Sequence, residues 1–153
     1  MNDITVKILT TQDIPAVKVL DDLSGNDVEQ WLDSDNIDFA WGIFLNHNLI
    51  GYCTTGYADD CPDVIENHPL HTSDSILLSD VFIMPQYRHH GYATQLIKTA
   101  LALRHNSDGY DETVFLALLY DDLAALYEPI GFSFIDNNGR MILPKQKAGD
   151  LHD

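Results

Sequence analysis

The residues with the clearest chemical potential lie where an apolar strand passes into a helix. The segment Ile76–Met84 is apolar on both faces, Pro85 ends it, and a helix is predicted from Gly91 to about Arg104. The first amides of a helix have no partner within it and lie at the positive end of its dipole. A diphosphate placed there would accept several charge-assisted hydrogen bonds. A plain structural connection of strand and helix would explain the segment equally well.

The small and charged residues of this turn fit an anion site. Gly91 lets a ligand approach the backbone, Ala93 keeps a nearby position small, and Arg88 adds a positive charge. The segment lacks the three spaced glycines of dinucleotide-binding turns and the Gly-Lys-Ser/Thr of Walker phosphate loops. If it binds a diphosphate, it does so as a different kind of site.

Two sequence blocks resemble those of the GCN5-related N-acetyltransferase (GNAT) family. The segment 88–93, Arg-His-His-Gly-Tyr-Ala, is similar to the family's acetyl-CoA signature, Arg/Gln-x-x-Gly-x-Gly/Ala. The block from Asp121 to Phe132 resembles Asn-x-x-Ala-x-x-x-Tyr-x-x-x-Gly-Phe, with Asp121 in place of Asn. The resemblance implies a single-domain α/β acyl-CoA N-acyltransferase fold over residues 1–144, followed by a polar tail at 145–153. Its sheet would be mixed and mostly antiparallel, with six to seven strands and about four flanking helices.

The resemblance also implies roles for individual residues. The backbone of Phe82 and Ile83 would pair with the pantetheine arm of acetyl-CoA, as a strand adds to an open edge. Tyr127 would sit beside the cofactor sulfur as the general acid, whereas Asp121 can cap a helix but cannot donate a hydrogen bond. The remaining cofactor contacts would come from Arg88, His89, His90, Gly91, Tyr92, Ala93 and Thr94.

Two further assignments have structural alternatives. Asp80 interrupts an apolar strand on the face predicted for Leu78 and Phe82, where a carboxylate is costly unless it is paired or hydrated. It is the candidate for binding the amine or acting as its base, and the alternative is a hydrogen-bonded structural Asp. The segment 78–82 also resembles a strand of spermidine/spermine N-acetyltransferases, whose acids contact the polyamine. The alternative for Tyr127 is a tyrosine packed in the core.

The segment 59–75 is predicted to be a long loop. Asp59 and Asp60 are candidate substrate-binding residues in an acidic rim, and the alternative is a solvated loop. Further acids and histidines in this loop are irregularly spaced, so no metal is expected; they are Asp63, His68, His71 and Asp74.

The amino-acid composition limits the classes of molecule that the protein is expected to bind. With 8 Lys and Arg against 24 Asp and Glu, the formal net charge is −16, which argues against binding nucleic acid or acidic lipid surfaces. The charge would attract a cationic substrate, and the alternative is that the acids form a purely solvating surface. The N-terminal residues do not resemble a signal peptide and no apolar run reaches about 18 residues, so the cytoplasm is the expected compartment. Cys53 and Cys61 are expected to be reduced thiols.

The remaining elements follow from hydrophobic periodicity and turn residues, and their order is β-α-α-β-β-β-α-β-α-β-β. A parallel crossover is expected through residues 76–119. Tight turns are expected at Asn46-His47-Asn48 and at Asn137-Asn138-Gly139. The predicted strands are 4–9, 37–45, 49–58, 76–84, 113–119, 132–135 and 141–143. The first predicted helix follows a capping box at 10–13 and ends at about 23, and the other predicted helices are 27–32, 91–104 and 121–128.

These features together predict an N-acetyltransferase that moves acetyl from acetyl-CoA to a primary amine, with a small cationic molecule as the acceptor. A protein or peptide acceptor, a non-catalytic acyl-CoA-binding module and a purely structural α/β domain are the alternatives. A homodimer is compatible with the fold.

Overall fold

A computed structural model of the protein describes residues 3–32, 40–57, 68–69, 76–108, 114–117, 124–135 and 140–143. The order of its elements is the predicted one. The strands and helices are β1 (Ile4–Ile8), α1 (Ile14–Ser24), α2 (Val28–Leu32), β2 (Ala40–Leu45), β3 (Asn48–Tyr57), β4 (Ile76–Ile83), α3 (Tyr92–Asp108), β5 (Val114–Ala117), α4 (Ala124–Tyr127), β6 (Ser133–Phe134) and β7 (Arg140–Leu143).

The chain forms two compact units. The first comprises Met1–Thr55 and Asp80–Ala100, and the second comprises Gly56–Ser79 and Leu101–Asp153. The strand β4 and the helix α3 each contribute residues to both units. The predicted domain boundary at residue 144 stays a prediction, because the tail lies outside the described residues.

The first unit is built on the antiparallel strands β1, β2 and β3 and on the last residues of β4. Asn46 and His47 connect β2 to β3 with φ angles of 51° and 74°, which confirms the predicted tight turn. Between β2 and β3 the register shifts beyond Ile43, so that Ile50 has no partner of its own and forms a bulge. The carbonyl of Ile50 instead accepts a hydrogen bond of 2.9 Å from the Met84 N–H, which ties β3 to the end of β4.

The core of the first unit lies between the sheet and the helices α1 and α2. Val17 and Leu20 of α1 are buried and Ile14 packs against the same cluster, as the helical spacing predicts. Gly25 ends α1 in the left-handed conformation, with φ of 81°. The other members of the cluster are Leu9, Val28, Leu32, Ala40, Phe44, Leu49 and Tyr52.

Both faces of the strand β2 are covered, because every residue from Ala40 to Phe44 is buried. One face includes the small residues Ala40 and Gly42, and a methyl group at Gly42 would stand 2.6 Å from Leu9 Cδ2 and 2.7 Å from Leu49 Cδ1. Small side chains make such a face look weakly hydrophobic in sequence, although neighbouring side chains fill the space above it. The predicted residues at 37–39 lie outside the described ranges.

The second unit contains the start of β4, followed by β5, β7 and β6 in spatial order. Ile76 and Leu77 pair in parallel with Val114 and Phe115, which confirms the predicted crossover. The pairs β5–β7 and β6–β7 are antiparallel, so the C-terminal hairpin is also confirmed. The mixed, mostly antiparallel α/β architecture is therefore as predicted, and seven strands fall within the described residues. Within those residues, no helix has the length and apolar composition needed to cross a bilayer.

Candidate cofactor and acceptor site

The turn after β4 is fixed by backbone hydrogen bonds. Met84 follows the strand, and its carbonyl accepts a 2.9 Å hydrogen bond from the Tyr87 N–H, which closes a short 3-10 turn over Pro85–Tyr87. Pro85 lacks an N–H and cannot extend the ladder of β4. The chain therefore leaves the sheet at a defined place, at Pro85, six residues before Gly91.

The head of α3 has the properties expected of an anion site. The first helical hydrogen bond joins Gln95 N–H to Gly91 O at 3.1 Å, so helical geometry leaves the amides of Tyr92, Ala93 and Thr94 without an intrahelical acceptor. Gly91 has φ of 80°, and within the described part of the chain a Cβ atom placed on it would meet no atom within 4 Å beyond its chain neighbours. The position beside Gly91 is therefore open, at the positive end of a 17-residue helix.

His90 braces this turn. Its Nδ1 lies 2.7 Å from the Arg88 carbonyl and 3.2 Å from the Tyr87 carbonyl. Because a carbonyl only accepts, Nδ1 must carry the proton. The imidazole stacks on the Tyr92 ring with centroids 5.7 Å apart and an interplanar angle of 15°. Next to it, His89 has φ of 66°, an uncommon conformation for a residue other than glycine.

Arg88 stands at the predicted turn, but its side chain folds back on β4. Its Nε donates a 2.8 Å hydrogen bond to the Ile83 carbonyl. Its guanidinium carbon lies 5.3 Å from the centroid of the Phe82 ring, within the range of a cation–π contact. One hydrogen-bond donor of Arg88, which the sequence analysis assigned to the cofactor, is thus used within the protein.

Phe82 and Ile83 direct their carbonyls to opposite sides of β4. A methyl group on Gly51 of β3 would stand 2.7 Å from the Phe82 carbonyl oxygen, so this oxygen faces β3. Alternate residues of a strand send their backbone groups to opposite sides. The backbone groups of Ile83 therefore point away from β3.

Asp80 interrupts β4 in a way that the sequence did not predict. It has φ of 56°, and the Thr54 hydroxyl donates to its Oδ2 at 3.0 Å. A residue in the left-handed conformation disturbs strand alternation, and the placement of Asp80 on the face of Leu78 and Phe82 stays a prediction. Such a conformation costs on the order of 1–3 kcal/mol and clusters at functional sites.

Cys53, next to Thr54, is a free and fully buried thiol. Burial, with a smaller contribution from the negative charge of Asp80, raises the pKa of Cys53 above its ordinary value of 9.0. The thiol is therefore protonated at neutral pH, so Cys53 is a poor candidate for a nucleophile.

A hydrogen-bond network at the start of α2 was also missed. The Asp21 carboxylate accepts hydrogen bonds from the amides of Val28 (3.1 Å) and Glu29 (2.9 Å) and from the Tyr52 hydroxyl (2.7 Å). It thereby caps α2 and ties it to β3. The Tyr52 ring lies 6.1 Å from the Phe82 ring, so the network adjoins the end of β4. No local sequence signal pairs residues so far apart in the chain.

Tyr127 belongs to the second unit and is buried. Its ring packs edge-on against Phe132, with centroids 5.8 Å apart and an interplanar angle of 81°. This packing is what the structural alternative expects, and it leaves the role of the phenol as an acid a prediction.

Several predicted residues lie outside the described residues. They are Asp59, Asp60, Asp63, His71, Asp74, Cys61 and Asp121, together with the turn Asn137-Asn138-Gly139. His68 is described and is half-buried. Among the parts of the chain that the structure describes, no three His, Cys, Asp or Glu side chains are grouped so as to hold a metal ion. The expected absence of a metal stays a prediction.

The chain was compared with known families and structures. The sequence model of the acetyltransferase (GNAT) family matches residues 7–132. No curated protein matches the chain by sequence.

Three solved structures illustrate the likeness of fold. The PaiA N-acetyltransferase of Thermoplasma acidophilum in complex with coenzyme A has a TM-score of 0.63 at 13% identity, over 94% of this chain and 99% of that one. The ribosomal-protein-S18-alanine N-acetyltransferase of Escherichia coli has a TM-score of 0.66 at 17% identity, over 98% and 97%. An aminoglycoside N-acetyltransferase in complex with CoA has a TM-score of 0.67 at 15% identity, over 90% and 92%. At these identities the likeness establishes the fold.

Proposed function

The chain belongs to the GNAT family of acetyltransferases, and on that premise we propose that it transfers acetyl from acetyl-CoA to a primary amine. The observation that carries the proposal is the open head of α3. There the backbone donors of Tyr92, Ala93 and Thr94 lack helical partners, and among the described residues a Cβ placed on Gly91 would meet no atom within 4 Å beyond its chain neighbours. The predicted compartment is the cytoplasm.

The cofactor would be held mainly by backbone groups. The amides from His89 to Thr94 would bind the pyrophosphate, and the backbone of Ile83, with Phe82 beside it, would pair with the pantetheine arm. The net charge of −16 opposes an anionic cofactor only weakly, because physiological salt screens charges beyond about 8 Å. Donors at the helix head act within that distance.

The acceptor proposed is a small cationic amine. A protein of net charge −16 attracts cations, and Asp80 offers a carboxylate held in place by Thr54. Asp59 and Asp60 are proposed as additional acids for the same substrate. A peptide acceptor is the alternative, since the structural neighbours include one named for an aminoglycoside and one named for a ribosomal protein.

The reaction would be a direct attack within a ternary complex. The amine must first be neutral, and alkyl amines have pKa values near 10, so Asp80 would bind the ammonium and take its proton. The nitrogen would then form a bond to the thioester carbonyl carbon while the carbon–sulfur bond breaks. Tyr127 would donate its proton to the departing thiolate, the second proton of the nitrogen would pass to the Tyr127 oxygen as the amide forms, and Asp80 would release the first proton to solvent.

The test is a release of free thiol from acetyl-CoA in the presence of polyamines, aminoglycosides, amino acids and peptides. With an active amine, Asp80→Asn and Tyr127→Phe should each lower kcat by about 100-fold or more, the usual share of one acid or base. Asn also tolerates the left-handed conformation and can accept from Thr54, so Asp80→Asn should keep its fold.

Each outcome separates the alternatives. Asp22→Asn, at an exposed residue of α1, serves as the control with wild-type turnover. Binding of acetyl-CoA without thiol release for any amine would identify an acyl-CoA-binding module. If acetyl-CoA also fails to raise the melting temperature, the domain is not an acyl-CoA protein.

A further inference from the structure

We infer that Arg88 serves the cofactor site as a positioning residue, through the hydrogen bond of its Nε, and that its positive charge is dispensable. The inference rests on the proposed function, because the turn that Arg88 holds is the proposed binding site for the cofactor. The role assigned to Arg88 by sequence was a charge near the phosphates. The geometry assigns the side chain to the protein itself.

The Arg88 side chain connects the two ends of the turn. Arg88 follows the 3-10 turn Pro85–Tyr87, and its Nε reaches back by 2.8 Å to the carbonyl of Ile83, the last residue of β4. The guanidinium also lies over the ring of Phe82, the residue before it. The side chain therefore fastens the turn to the end of β4 by a hydrogen bond.

The backbone of Arg88 continues the connection toward the helix. Its carbonyl accepts the 2.7 Å hydrogen bond from His90 Nδ1, and the His90 ring stacks on Tyr92, the first residue of α3. Arg88 is thus held at one end by β4 and at the other by the helix head. The left-handed conformations of His89 and Gly91 lie between these anchors. Such conformations persist where the surroundings determine them.

The platform under Arg88 is itself fixed. Phe82 packs against Tyr52 with ring centroids 6.1 Å apart, and the Tyr52 hydroxyl donates to Asp21 at 2.7 Å. Phe82 also packs against the core cluster of the first unit. Because Phe82 is fixed, the Arg88 side chain that contacts it also has a defined position. Arg88 can therefore hold the backbone amides of the turn in place.

Two substitutions separate the hydrogen bond from the charge. In Arg88→Gln the amide nitrogen stands as many bonds from Cα as Arg Nε does, so the donor remains and the charge is lost. In Arg88→Lys the charge remains, but the planar donor is replaced by a hydrated ammonium one bond farther out. A positioning role and a charge role therefore predict opposite orders for the two variants.

The first measurement is hydrogen exchange of the Tyr87, Arg88 and Gln95 amides in the full chain without ligand, because their hydrogen bonds close the turn and the head of α3. Losing a hydrogen bond made by a charged group changes a local equilibrium by about tenfold or more. We expect Arg88→Lys and Arg88→Met to speed exchange by about that factor, and Arg88→Gln to stay within about threefold of wild type. Asp22→Asn is the control. Equal exchange in all variants, or faster exchange in Arg88→Gln than in Arg88→Lys, would overturn the inference.

The second measurement is the Kd for coenzyme A by calorimetry at low and moderate salt. The same order is expected, with Arg88→Lys and Arg88→Met about tenfold weaker and Arg88→Gln within about threefold of wild type. Wild-type affinity in Arg88→Lys together with a large loss in Arg88→Gln overturns the inference and leaves the cofactor site intact. A wild-type protein that does not bind coenzyme A, with exchange as expected, refutes the proposed function and supports the positioning role of Arg88 in the turn.

Discussion

Gly51 of β3 offers the sharpest test of how closely β3 and β4 approach beside the candidate site. An alanine methyl there would stand 2.7 Å from the carbonyl oxygen of Phe82 and would also overlap Ile83 Cδ1. The Ile83 side chain could rotate away. The Phe82 carbonyl is backbone facing β3, so relief would require β4 to move.

The expected cost follows from these contacts. Overpacking in a well-packed region costs about 1–3 kcal/mol. Replacing glycine by alanine returns about 0.4–1 kcal/mol, because the unfolded chain loses conformational freedom. The net loss for Gly51→Ala should therefore be about 1.5 kcal/mol. For a domain of this size that corresponds to a fall in melting temperature of roughly 3–6 °C.

The matched control is Gly56→Ala in the same strand, where an added Cβ would meet no atom within 4 Å. That variant should be neutral or more stable by up to about 1 kcal/mol. Urea denaturation followed by circular dichroism measures both. Gly51→Ala with the stability of Gly56→Ala would refute the close approach of the Phe82 carbonyl to β3, and with it the assignment of Ile83 as the residue whose carbonyl faces away from β3.

Three further predictions concern the first unit. Asp21→Ala should lower the free energy of unfolding by about 1–2 kcal/mol through loss of the cap on α2, while the exposed Asp22→Ala should stay within about 0.5 kcal/mol in urea denaturation. Burial chiefly, aided by the charge of Asp21, raises the pKa of Tyr52 above its ordinary 10.0, so its contribution to the free energy of unfolding is present below pH 10 and is lost as pH rises further. Tyr52→Phe should therefore lower the free energy of unfolding by about 1 kcal/mol at pH 8, and it should lose less stability than wild type between pH 8 and 11. Gly91→Ala and Gly25→Ala both place a side chain at φ near 80° and should each cost about 1 kcal/mol, but calorimetry should find weaker coenzyme A binding only in Gly91→Ala.

The sequence was sufficient for features that depend on neighbours along the chain. The alternation of Ile4–Ile8, the helical spacing of Val17 and Leu20 and the stop at Gly25 each follow from the period or conformation of a single element. The strand–turn–helix around Gly91 was predicted for the same reason. Family membership also followed from short ordered blocks, and the matched family model spans residues 7–132.

The tertiary structure decided which groups of those elements are available for chemistry. The left-handed Asp80, the Phe82 carbonyl facing Gly51 and the return of Arg88 Nε to Ile83 all depend on how β3, β4 and the turn pack together. The Asp21–Tyr52 hydrogen bond joins residues 31 positions apart. Sequence periodicity records which side of an element is apolar, because burial selects side chains. It carries no record of where a particular carbonyl or charged group finds its partner, because that is fixed only when distant segments meet.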